Sequence, residues 1–127
     1  MQKPNFQKLH VYALAETLAD AVWEVVSRWQ PFPRDTVGKQ LVRAADSIGA
    51  NIAEGNARGS YQDNRRFVRI ARGSLTEVQH WLRRAYTRGL LSDEDIDRLR
   101  VTLDEFSPRL NAYLKSIGKS SGHAPRA

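Results

Sequence analysis

The sequence predicts an all-α chain folded as an antiparallel up-down four-helix bundle. Three observations lead there. Four segments carry apolar residues at the three- and four-residue spacing of a helix with one buried stripe. The connections between them are short and marked by proline or glycine, and strand-like alternation is missing throughout. Amphipathic helices with short connections bury their stripes by packing side by side. At 127 residues the chain can bury one core without staples, and its lack of cysteine excludes a disulfide scaffold or a thiolate metal site.

The first helix is expected over about residues 6–29, with Val11, Leu14, Ala15, Leu18, Val22, Val25, Val26 and Trp29 as its stripe. Pro31-Phe-Pro33 is expected to end it, because proline disfavours helical geometry in the preceding residue and cannot continue the ladder. The second helix, about 35–56, opens near Asp35 as a capping carboxylate and buries Val37, Leu41, Ala44, Ala45, Ile48 and Ile52. The third, about 60–88, starts at Ser60 with Asp63 as a shortened capping-box partner and stops at Gly89. Its stripe reads Phe67, Ile70, Ala71, Ser74, Leu75, Val78, Trp81, Leu82 and Ala85. The fourth, about 92–117, is capped by Ser92 with acids in its first turn. It buries Ile96, Leu99, Leu103, Phe106, Leu110, Leu114 and Ile117, with a kink expected at Pro108. Residues 1–117 thus form one domain, and 118–127, without apolar periodicity, are expected to be a disordered tail.

Charge is unevenly placed. The net +6 arises in residues 38–90, which hold ten basic and four acidic side chains, whereas both flanking stretches are balanced. A polyanion would be drawn to that middle section. No apolar run reaches the length of about 18 residues that a membrane span needs. Met1-Gln-Lys-Pro-Asn-Phe lacks the apolar region of a secretion signal, so a cytoplasmic location without a membrane partner is expected.

The most unusual stretch is Arg43 to Ser60, helical in pattern yet rich in polar and small residues. Ser47, Asn51 and Glu54 form a polar flank, with Gln40 and Arg43 one to two turns earlier. Such a flank suits a hydrogen-bonded network fixing helix register or subunit docking, or else a ligand site. Glu54 can also pair with Arg58 one turn on, and Gly55-Asn56 is expected to mark the fraying helix end. In the third helix Gly73 sits outside the buried stripe, where glycine costs roughly 1 kcal/mol relative to alanine. An outward notch that admits a neighbouring subunit, with Arg66, Glu77, His80 and Arg84 around it, would offset that cost.

Helix two and the turn carry Gln40, Arg43-Ala-Ala45, Ser47-Ile48, Asn51-Ile-Ala-Glu-Gly55, Arg58 and Ser60. Helix three continues with Phe67, Ile70-Ala71, Gly73-Ser-Leu75, Glu77, Leu82 and Ala85, and helix one adds Phe6, Leu9, Val11 and Ala15. With these residues the chain resembles the bacterial four-helix-bundle proteins first noted as reading frames inside intervening sequences of large-subunit ribosomal RNA genes. The resemblance implies a ring of five identical bundles. A related branch, the accessory variability determinant proteins, serves diversity-generating retroelements by binding reverse transcriptase and nucleic acid, which makes RNA or DNA a plausible partner here. Two departures stand out: the stretch from Phe32-Pro33 to Gln40 is shorter than the usual pattern, and Gln79 replaces a frequent acid.

Arg65, Arg69, Arg72 and Arg83 are expected to share the face of helix three opposite its buried stripe, with Arg58 at the preceding turn and Tyr61 as a stacking surface. Arginine forks suit phosphate and would bind nucleic acid without sequence preference. The subunit face or polar network is expected at Arg43, Ser47, Asn51, Glu54, Arg66, Gly73 and Glu77. No enzyme is expected. Glu77-Val-Gln-His80 is one Glu-x-x-His string of the kind used by di-iron bundles, but a second is missing. His10, His80 and His123 are scattered, and no phosphate-binding glycine loop exists, so no cofactor or metal is expected. The alternative to a nucleic-acid binder is a protein–protein adaptor in which the arginines merely solvate the surface.

Overall fold

The computed structural model describes residue 6 and residues 9–118. Four main helices, α1 His10–Ser27, α2 Lys39–Ala57, α3 Tyr61–Thr87 and α4 Asp93–Ser116, make an all-α four-helix bundle, with no strand among the described residues. Contacts run α1 to α2, α2 to α3, α3 to α4 and α4 back to α1, without a diagonal pair, as expected of helices packed around a square in chain order. The α2/α3 pair is the most tightly associated and the α3/α4 pair the least. Leu18, Val22, Leu41, Ile48, Ile52, Val68, Val78, Phe106 and Leu110 fill the centre. No helix of the described residues is long and apolar enough to cross a membrane.

The stripes of α1 and α2 are those the periodicity indicates, except that α1 ends at Ser27 and Trp29 lies beyond it, half-buried; Leu9 and Ala21 join the first. In α3 the core instead follows Val68, Ala71, Leu75, Val78, Leu82 and Ala85. Ile70, expected inside, is 45% exposed. Phe67, Ser74 and Trp81 lie half-buried on the flank towards α2, so two overlapping apolar patterns compete in this helix and the Val68 pattern takes the core. In α4 Tyr113 joins the core, while Ile96 and Leu103 are only half-buried. The helix continues through Pro108, which is exposed, so the carbonyl it leaves without a partner faces solvent.

The ends correct several expectations. Helix α1 begins at His10 rather than residue 6, because Leu9 is extended. Pro31-Phe-Pro33 does not end a helix; it begins one. Pro31–Pro33 is a helical turn that leads through a π-turn, Arg34–Gly38, directly into α2. Prolines fit there because the first-turn N–H groups have no helical partner to lose. The break spans Arg28, Trp29 and Gln30, the last extended at φ −61° and ψ 158°, as the residue before a proline prefers. Asp35 therefore caps nothing, and its carboxylate lies 2.9 Å from Arg34 Nε. Gly55 lies in the last turn of α2, which ends at Ala57 close to the expected boundary, and is buried. The expected disordered tail falls, apart from Gly118, outside the described residues.

Specific polar contacts fix the remaining boundaries. Ser60 Oγ accepts from the Asp63 N–H at 3.1 Å and starts α3. Its end is a Schellman closure, with Gly89 at φ +71° and the Leu90 N–H donating to the Ala85 carbonyl. Ser92 and Asp95 form a reciprocal capping box, and Asp95 also accepts from Arg28 at 2.8 Å, tying the end of α1 to the start of α4. A second pair, Arg98 with Glu24, links the same two helices. Burial acts to raise the Asp95 pKa. Hydrogen bonds from Arg28 and from the Ser92 backbone and side chain, together with the Arg28 charge, outweigh it, and the carboxyl stays below its usual range.

Two stability predictions follow from these contacts. A Cβ at Gly55 would fall 2.7 Å from Asn64 Oδ1, 3.0 Å from Phe67 Cβ and 3.1 Å from the Asn64 carbonyl oxygen. Gly55→Ala should therefore destabilise by about 1–3 kcal/mol in urea unfolding. Asp95→Ala should cost about 1–2 kcal/mol at neutral pH, because the Ser92 N–H and Arg28 lose their charged acceptor while Ser92 still caps the helix. Because the folded carboxyl has the lower pKa, this contribution is complete above the unfolded value of about 3.9. It is lost as pH falls through the folded value, so the difference between wild type and variant should narrow below about pH 4.

Candidate functional site

The polar flank of α2 meets α3 in a short chain of hydrogen bonds. The hydroxyls of Ser47 and Ser74 lie 2.6 Å apart across the two helices, and Ser47 also reaches the Ala44 carbonyl at 3.0 Å. Asn51 Nδ2 donates to the Ser47 carbonyl at 2.8 Å. One turn beyond, Glu54 accepts from Arg58 at 2.9 Å. The structure thus brings Ser47 and Asn51 together with Ser74. Arg43 stands apart, exposed beside a cleft between α1 and α2.

At the α2/α3 turn the guanidiniums of Arg58 and Arg66 each sit 4.8 Å from the Phe67 ring centre. Both also have acid partners, Glu54 for Arg58 and Asp63 at 3.7 Å for Arg66. Further along α3, Glu77 accepts from the Trp81 indole at 3.1 Å. Gly73 is exposed, and nothing lies within 4 Å of where its Cβ would be. Ile70, one turn earlier, is the exposed apolar side chain beside this notch. The expected subunit face therefore contains a small apolar surface flanked by Arg66 and Glu77, with the serine pair beneath its edge.

The five arginines expected to hold phosphate divide by their contacts. Arg58 is engaged as described. Arg65 is half-buried and donates to the Ile117 carbonyl at 3.0 Å, closing the C-terminal end of α4. Arg69, Arg72 and Arg83 are exposed, and no acidic side chain forms an ion pair with them among the described residues. At about 100° per residue this row lies on the α4 side of α3 rather than opposite the core. Arg83 rims an open groove of about 760 Å³ between α3 and α4, floored by Leu82 and Leu99 and carrying Asp97, Arg100 and Asp104 on the α4 wall. Tyr61 is exposed at the start of α3.

Sequence reasoning missed a second feature, the surface around the π-turn. Gly38 lets this turn approach α1: a Cβ there would lie 2.6 Å from Val26 Cγ1 and 3.4 Å from the Trp29 ring. Trp23 and Phe32 stand out around it, 62% and 79% exposed. The available signal was the pair of prolines framing Phe32, which reads equally well as a break. The turn occupies the stretch noted above as shorter than the family pattern.

His80 lies edge-on to Trp81, with ring centres 4.8 Å apart. Among the described residues no group of three or more His, Asp or Glu side chains is placed to share a metal ion. His123 lies outside the described residues. Burial raises the Tyr113 pKa, against a smaller lowering by hydrogen bonding to Asn64. Asn64 Oδ1 is itself buried without a hydrogen-bond partner and packs over Gly55.

Fold and surface together define a small helical-bundle protein with a basic flank and a hydrogen-bonded α2/α3 hairpin. The model of the 23S rRNA-intervening sequence protein family matches residues 7–112, and the chain belongs to that family. A solved structure from Bacteroides thetaiotaomicron, a protein of unknown function from the S23 ribosomal protein family, has the same fold, with a TM-score of 0.72 and 22% identity. The match covers 83% of this chain and 98% of that one. No curated protein matches the chain.

Proposed function

We propose that this chain is a non-enzymatic, cytoplasmic bundle protein that assembles with copies of itself and binds RNA or DNA without sequence preference. The observation that carries the reading is the row Arg69, Arg72 and Arg83, exposed and without acidic partners among the described residues, while the neighbouring Arg58, Arg65 and Arg66 are engaged within the chain. Unpaired guanidiniums keep their full capacity for bidentate phosphate contacts. Repetition of the row around an assembly, a pentamer by family resemblance, would multiply weak contacts into useful affinity.

The self-assembly part rests on Gly73. A mid-helix glycine whose Cβ would meet nothing gains no packing within the chain, so its helix cost is offset only by something outside. The exposed Ile70 beside it supplies apolar area to a neighbouring subunit. The groove between α3 and α4 favours a second reading, a protein–protein adaptor, because its leucine floor suits an apolar partner.

Replacing Arg69, Arg72 and Arg83 together by Glu should abolish binding to generic RNA. Log-log salt titration of the wild type should show a steep slope, of which these three contacts supply roughly 2 to 3 units. No binding by the wild type even at low salt would leave the adaptor reading. For assembly, Gly73→Leu should reduce the mass seen by light scattering. An unchanged mass, with Gly73→Ala simply stabilising the fold by about 1 kcal/mol, would remove the subunit face.

A further inference from the structure

The chain's three tryptophans, Trp23, Trp29 and Trp81, all lie around the π-turn, and Phe32 stands beside them. Two clefts flank the turn and share Asp35 and Lys39 in their walls. One, about 340 Å³, contains Trp23 together with Arg34 and Arg43. The other, about 1000 Å³, contains Phe32 and Trp81 together with Arg88. Four basic side chains thus face one acid across the two clefts, and that acid is already bonded to Arg34. Of the acids nearby, Glu24 pairs with Arg98 and Glu77 accepts from Trp81. Lys39, Arg43 and Arg88 form no ion pair among the described residues.

We propose that this end of the bundle is a stacking site for single-stranded nucleic acid, with bases on Trp23 and Phe32 and phosphates on Lys39, Arg43 and Arg88. Exposed rings between cations are what an unpaired strand uses: every base has a face to stack, and the backbone follows the charges. A duplex hides its base faces, so the rings add nothing to duplex binding. A second copy docked patch to patch would set like charges against each other, which disfavours self-pairing here. The π-turn holds the arrangement, since it places Phe32 outward on one side while Gly38 locks the other side to α1.

This inference deepens the nucleic-acid reading and rests on it, yet uses different residues. The test measures binding of the full chain to a 20-nucleotide oligo(dT) and to a 20-base-pair duplex of mixed sequence at low salt, by anisotropy and by tryptophan fluorescence. Oligo(dT) should quench the tryptophans and bind more tightly than duplex. Trp23→Ala and Phe32→Ala, both at exposed positions, should each weaken oligo(dT) at least about fivefold while leaving duplex binding unchanged. Trp23→Phe, which keeps a ring, should restore affinity. Duplex binding that persists with no preference for the single strand would overturn the stacking site and leave the arginine row intact. Failure to bind either probe would remove both. Binding of anionic phospholipid vesicles in place of oligo(dT), or a change of assembly mass in the alanine variants, would assign the clefts to a membrane or to a second copy and overturn the proposal.

Discussion

The bundle depends on how closely α2 and α3 approach each other. Gly55 lies directly beneath the Asn64 amide oxygen, and the Ser47 and Ser74 hydroxyls meet further along the same seam. Small residues let two backbones come near, but closeness alone leaves a helix free to slide. The serine pair removes that freedom, because a slip of one turn would leave both hydroxyls without each other. The other helices then pack on a pair whose register is already fixed, α1 through Ala15 and Tyr12 against Gly49, and α4 through Phe106 and Leu110 in the centre.

The same seam explains an asymmetry in the surface. Where α2 and α3 pack tightly, side chains on their outer edge are tied to one another, as Glu54 with Arg58 and Glu77 with Trp81. Where α3 and α4 stand apart, Arg83, Arg100, Asp97 and Asp104 on the walls form no ion pair among the described residues. Loose packing on one side of the bundle leaves charged groups available without disturbing the core, as a loop does in other folds.

Much of this was readable from the residues. Periodicity located all four helices, and the α2 stripe from Val37 to Ile52 is buried throughout. It failed in α3, where Phe67-Val68 and Ile70-Ala71 satisfy two helical phases at once; only the placement of α2 and α4 decides between Val68 and Ile70. The prolines misled because the chemistry that ends one helix also suits the first turn of the next. Ser47 and Asn51 were visible as a polar flank, but Ser74 as their partner required the relative register of two helices. Arg65 looked like any other arginine of its row, since nothing local shows that the chain returns to place the Ile117 carbonyl against it.

The π-turn has a consequence for how this chain tolerates change. A π-turn holds one more residue than the α-turn it replaces, so it works as a splice between Pro31–Pro33 and the regular helix beyond. Removing one residue from Arg34–Gly38 would restore α geometry and rotate Phe32 about the helix axis, with Leu41, Ile48 and Ile52 left where they are. The outward surface at this end and the buried stripe of α2 can therefore vary independently. Length differences at this connection would then reshape the exposed aromatic surface without disturbing the core.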